Sequence, residues 1–124
     1  MMDWKLEVVP IPVTDVDRAK AFYVDQVGFN ADVDQQVDEH VRFVQLTPPG
    51  SACSIVMGTG LVDMPPGSQK GVMIVVPNAD DALGYLTGRG VQARGVEELE
   101  WGRFVYFADP DGNEWTLQEL PAYS

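Results

Sequence analysis

The run Arg42-Phe43-Val44-Gln45-Leu46-Thr47 alternates in the manner of a half-buried strand, and its pattern returns as Arg103-Phe104-Val105-Tyr106-Phe107-Ala108. Each run leads into a turn with proline and glycine, Pro48-Pro49-Gly50 and Asp109-Pro110-Asp111-Gly112. The offset is 61 residues at the arginine and 62 at the glycine, so the second copy has one extra turn residue. A helix signal precedes each copy. Thr14 stands as a capping residue with Asp17 three positions on, and Val16, Ala19, Phe22 and Tyr23 follow at helical spacing until Gly28. Asn78 caps the second helix with Asp81 three positions on; Ala79, Ala82, Leu83 and Leu86 form its apolar stripe, and Gly90 closes it.

Strands are predicted over 5–13, 31–38, 41–46 and 52–57, and again over 71–76, 92–99, 103–107 and 114–120. The order is strand-helix-strand-strand-strand, twice, which predicts an α+β fold. The expected organisation is one domain over 1–124, with repeat one at 1–58, a linker at 59–70 and repeat two at 71–124. A unit of about 60 residues buries too little core to stand alone, so the two copies belong to one pseudo-symmetric body. A cleft between such halves is a natural ligand site. In the repeated strands Val44, Leu46, Val105 and Phe107 form a uniformly apolar set suited to a helix-covered face. Phe43, Gln45, Phe104 and Tyr106 form the other set, aromatic with polar tips. On the last strands Ser54 and Thr116 share that second face with Val56, Glu114 and Gln118.

Charge narrows the partners. With 8 basic and 19 acidic residues the formal charge is -11, which argues against nucleic acid. A negative cleft would concentrate cationic ligands, and the same charge also serves plain solubility. No apolar run approaches the roughly 20 residues that a membrane span needs. The start, Met-Met-Asp-Trp-Lys-Leu-Glu, lacks the pattern of a signal peptide. The single cysteine, Cys53, cannot form an internal disulfide, so the reducing cytoplasm is the expected compartment. Cys53 alternates against Ser54 and is expected on the helix side, buried and unreactive. His40, the only histidine, sits at a strand start and reads as a surface residue. Asp109, Asp111 and Asn113 form a turn and not a calcium loop, because the glycine comes fourth instead of sixth.

The doubled βαβββ order, the helix Thr14-Asp15-Val16-Asp17-Arg18-Ala19-Lys20-Ala21-Phe22-Tyr23 leading to Val27-Gly28-Phe29, and the turn Asp109-Pro110-Asp111-Gly112-Asn113 resemble the vicinal oxygen chelate superfamily. That group includes glyoxalase I, extradiol dioxygenases and bleomycin-resistance proteins. The resemblance spans nearly the whole chain. It implies an eight-stranded mixed sheet curled around a cleft, helices on the convex face, and a homodimer. Metal-dependent members hold one ligand on each of four strands, and counting by the motif places these positions at Val8, Ser54, Gly71 and Thr116. None is a usual ligand, since zinc, nickel and iron need imidazole, thiolate or carboxylate donors. No metal or other cofactor is therefore expected. The run Trp101-Gly102-Arg103-Phe104 is similar to the segment of bleomycin-resistance proteins in which an aromatic residue faces flat antibiotic rings.

The expected function is metal-free binding of a small aromatic or cationic molecule, with antibiotic sequestration one role. Trp101, Phe104, Tyr106 and Phe43 would supply contact area, and Thr116 and Ser54 polar contacts. No catalytic residue is assigned. A lyase, isomerase or dioxygenase of glyoxalase type, with a metal held in an unconventional way, remains the alternative. A third class is a structural or regulatory partner whose own side chains fill the cleft.

Overall fold

The computed structural model describes residues 2–121. In chain order the elements are β1 (Val8–Pro10), α1 (Val16–Ala21), β2 (Asn30–Gln36), β3 (Arg42–Thr47), β4 (Ser54–Thr59), β5 (Val72–Val75), α2 (Ala79–Gly88), β6 (Ala93–Leu99), β7 (Gly102–Ala108) and β8 (Glu114–Glu119). Helix α1 runs on through a wider π turn at Phe22–Val27 and stops at Gly28, whose φ is 96°. The doubled strand-helix-strand-strand-strand order is present, and the fold is α+β.

The eight strands form two four-stranded sheets, β1-β4-β3-β2 and β5-β8-β7-β6, not a single eight-stranded one, and neither closes. In each, the first strand lies parallel to the last and the other pairs are antiparallel. The reason for two sheets is a shared core. Val44, Leu46, Ile55 and Met57 of the first sheet are buried in the same cluster as Val105, Phe107, Trp115 and Leu117 of the second. Val16, Ala19, Phe22 and Tyr23 of the first helix and Ala79 and Leu86 of the second belong to the same cluster, so the helix-covered faces of both sheets are buried in one core. The opposite face of the second sheet is left open, with Met73 and Val75 more than half exposed.

The repeated arginine has one job in both copies. Arg42 bridges Asp34 at 2.8 Å and Asp17, in the first turn of α1, at 2.7 Å. Arg103 bridges Glu98 and Asp80, in the first turn of α2, at 2.9 Å each. Each arginine thus ties a helix start to its sheet. Hydrogen bonds from Arg42 and then Lys20 hold the Asp34 carboxyl far below the usual carboxylate range.

A polar seam joins the repeats. The Tyr23 hydroxyl donates to Asp109 Oδ2 at 2.7 Å and accepts from Trp115 Nε1 at 2.9 Å. Asp109 also accepts from the backbone N–H groups of Asp111 and Asn113 and from Asn113 Nδ2. Asn113 Nδ2 reaches on to the Pro12 carbonyl at 2.8 Å. The stretch from Asp109 to Asn113 is thus a turn, as expected, and its carboxylate is the hub. Aromatic rings surround it: Trp115 stacks on Phe107 at 6.0 Å and meets Tyr23 and Phe29 edge-on.

Local expectations shift at two places. The cap of α1 is Asp15, which accepts from Arg18 N at 3.0 Å, whereas Thr14 is drawn away to Asp111 Oδ1, 2.7 Å from its hydroxyl. Cys53 falls just before β4 and is only half-buried, its thiol turned to the Ser54 carbonyl. Asn78 caps α2 as expected, accepting from Asp81 N. His40 is exposed, as expected.

Candidate ligand-binding site

Directly opposed residues on neighbouring strands share a face, so the register sorts the side chains. Across the open face of the second sheet one row runs Arg94, Tyr106, Thr116, Met73, one residue from each of β6, β7, β8 and β5. The next row runs Glu97, Phe104, Gln118, Val75. Arg94 and Glu97 are three apart, yet share a face because β6 has a bulge between Gly95 and Glu97. A matching bulge sits in β2 between Ala31 and Val33.

Tyr106 organises the first row. The Arg94 guanidinium lies 4.4 Å from the centre of its ring, and Phe104 stacks beside it at 6.4 Å. The hydroxyl donates to Glu97 Oε1 at 2.6 Å. That hydrogen bond, then desolvation and the Glu97 charge, raise the Tyr106 phenol above its ordinary value, so it stays a neutral donor. A cavity of about 800 Å³ opens here, with Lys70, Arg94, Tyr106, Glu114, Trp115 and Thr116 in its lining. Lys70 Nζ is 3.1 Å from Glu114 and also donates to the Gly112 carbonyl.

Of the six residues singled out from sequence, the structure brings Tyr106 and Thr116 together at this cavity as cross-strand neighbours. Phe104 is buried behind Tyr106. Trp101 is 61% exposed in the β6–β7 turn, and its backbone carbonyl accepts from Gln118 Nε2 at 3.0 Å. Phe43 and Ser54 lie on the first sheet, away from the cavity lining. There Ser54 belongs to a separate polar cluster, with Thr47 Oγ1 at 2.7 Å and Gln45 Nε2 at 3.3 Å. Sequence reasoning misses Arg94 and Lys70 in the lining. The one arginine on the strand paired with the repeated one, in an acidic chain, is the available signal for Arg94.

The family described as Glyoxalase superfamily protein matches residues 4–121. This chain belongs to the glyoxalase superfamily. Among solved structures similar to it is that of TnmS3, an antibiotic binding protein from Streptomyces sp. CB03234, 36% identical with a TM-score of 0.88 over 98% of this chain and 99% of that one. A member of the glyoxalase/bleomycin resistance protein/dioxygenase superfamily from Sphaerobacter thermophilus is 33% identical, with a TM-score of 0.84 over 96% and 99% of the two chains. The uncharacterized protein YetH of Bacillus subtilis is 29% identical, covering 93% of this chain and 98% of its own length.

Many glyoxalase-fold proteins hold a metal on the sheet face, so the donor set matters. Val8 and Ser54 are register partners, as the motif requires. Thr116 pairs with Met73 and not with Gly71, which precedes β5. The set is then valine, serine, methionine and threonine. One thioether and two neutral hydroxyls do not fit zinc, nickel or iron. Among the described residues no three of His, Cys, Asp and Glu converge as a metal site.

Proposed function

We propose that this glyoxalase-superfamily chain is a small-molecule binding protein that sequesters an aromatic compound without the help of a catalytic metal. The observation that carries this reading is the row Arg94-Tyr106-Thr116 along a cavity of about 800 Å³. Beside the Tyr106 ring, Thr116 and its strand partner Met73 place a hydroxyl and a thioether where metal-dependent relatives need metal donors. Pockets that bury a drug-sized ligand are of this size, and this one divides its lining evenly between polar and apolar residues. The 36% identity to an antibiotic binding protein supports the same reading. A homodimer fits it too, because a second copy would cover the open face that carries Met73 and Val75. The place of action is the cytoplasm.

Isothermal titration of the protein, before and after EDTA treatment, against a panel of aromatic compounds tests the proposal. Saturable binding of one ligand per chain that survives EDTA is expected. Substitution of Tyr106 and Thr116 together by alanine should weaken it by about tenfold or more. One firmly held transition metal per chain that binding requires would overturn the reading, as would turnover of the bound compound.

A further inference from the structure

We infer that the ligand of this cavity carries an anionic oxygen beside its aromatic ring, and that Arg94 is the residue that selects it. The inference rests on the binding role proposed above and narrows its ligand class. Most of the chain's cations are already engaged. Arg18, Lys20, Arg42, Lys70 and Arg103 each face a carboxylate, and Arg89 donates to the backbone carbonyls of Asp25 and Gln26. Arg94 makes no ion pair or hydrogen bond among the described residues, although it lies over the Tyr106 ring in the cavity wall. Glu97, the acid on its own strand and face, is engaged by the Tyr106 hydroxyl.

The charge around the cavity is balanced, unlike that of the whole protein. The charged residues lining the cavity are Lys70, Arg94 and Glu114. Lys70 and Glu114 neutralise each other at 3.1 Å, and the Glu97 carboxylate, held by the uncharged Tyr106 hydroxyl, lies outside the lining, which leaves Arg94 as the one lining cation without an ionic partner. A cationic ligand would meet no unpaired carboxylate in the lining. A carboxylate or ionised phenol would meet the forked donors that guanidinium offers such groups. The row from Arg94 to Thr116 spans two strand spacings, about 10 Å, which leaves room for more than one ring. The Thr116 hydroxyl would lie under those rings.

The test uses three probes with one ring system, naphthoate, naphthalenemethanol and naphthylmethylammonium, titrated calorimetrically into the wild-type chain and into Arg94→Gln and Arg94→Lys. Naphthoate should bind wild type at least about tenfold tighter than the alcohol, with the ammonium weakest. Arg94→Gln should erase the difference, and Arg94→Lys should retain part of it. Arg94 is exposed, and matching circular dichroism will establish that both variants fold. Equal binding of all three probes, or an unchanged preference in Arg94→Gln, overturns the inference and leaves the binding role standing. Failure of all three to bind counts against the binding role itself, and the inference falls with it.

Discussion

Asp109→Ala should lower folding stability by about 4 kcal/mol, read from the urea midpoint at unchanged slope. The Asp109 carboxylate is buried and accepts four hydrogen bonds, from Tyr23 and Asn113 side chains at 2.7 Å and from two backbone N–H groups at 2.9 Å. Alanine leaves three of those donors without a protein partner, Asn113 Nδ2 keeping the Pro12 carbonyl, and each unsatisfied buried group costs about 1–3 kcal/mol. Water entering the space would recover part of the sum. The same hub predicts an alkaline signature. Burial first, and the Asp109 charge next, push the Tyr23 phenol far above its ordinary value of 10.0. The unfolded chain releases that proton near its ordinary value, whereas the folded chain keeps it. The contribution is therefore complete below about pH 10 and lost as pH rises, by about 1.4 kcal/mol per unit. Tyr23→Phe should remove one proton's worth of that slope while costing a smaller, pH-independent amount for the stranded Trp115 N–H. Parallel stability curves for the two proteins above pH 10 would refute the assignment.

The fold is legible in the sequence because it is written twice. The alternation of Arg42 to Thr47 and of Arg103 to Ala108 identifies the face each side chain takes, and Val44, Leu46, Val105 and Phe107 are indeed buried in the core. Three features are not legible, each for a physical reason. Period-two counting fails across a bulge, so Arg94 and Glu97 do not stand out as neighbours on the open face. Equal offsets between the copies fail where β5 starts, so the partner of Thr116 reads as Gly71 in place of Met73. Long-range polar pairing is invisible to local rules, so Thr14 reads as a cap although Asp111, 97 residues on, claims its hydroxyl. The division into two sheets has the same origin. It depends on which apolar faces bury each other, and composition along one strand carries no such information.

A second large loss of stability is expected for Gly67→Ala, about 3–5 kcal/mol, from two causes that can be separated. Gly67 has φ +77°, and a Cβ there would fall inside the van der Waals envelope of the Asp111 carbonyl oxygen, which is backbone and cannot rotate aside. Gly112, on the turn that Gly67 approaches, has φ +95°, and a Cβ added to it would meet nothing within 4 Å. Gly112→Ala therefore isolates the backbone strain, about 1 kcal/mol. The difference between the two variants measures the close approach of the linker to the turn between β7 and β8. That approach matters because the linker also binds the first repeat: Gly67 N donates to Pro12 O at 3.1 Å and Gln69 Nε2 to Pro10 O at 2.9 Å. If the linker crosses this seam only loosely, the two alanines will cost the same. If it is the strap that holds β1 against the second repeat's turn, Gly67→Ala will be the worse by at least about 2 kcal/mol, with the loss shared by the Tyr23–Asp109 network beside it.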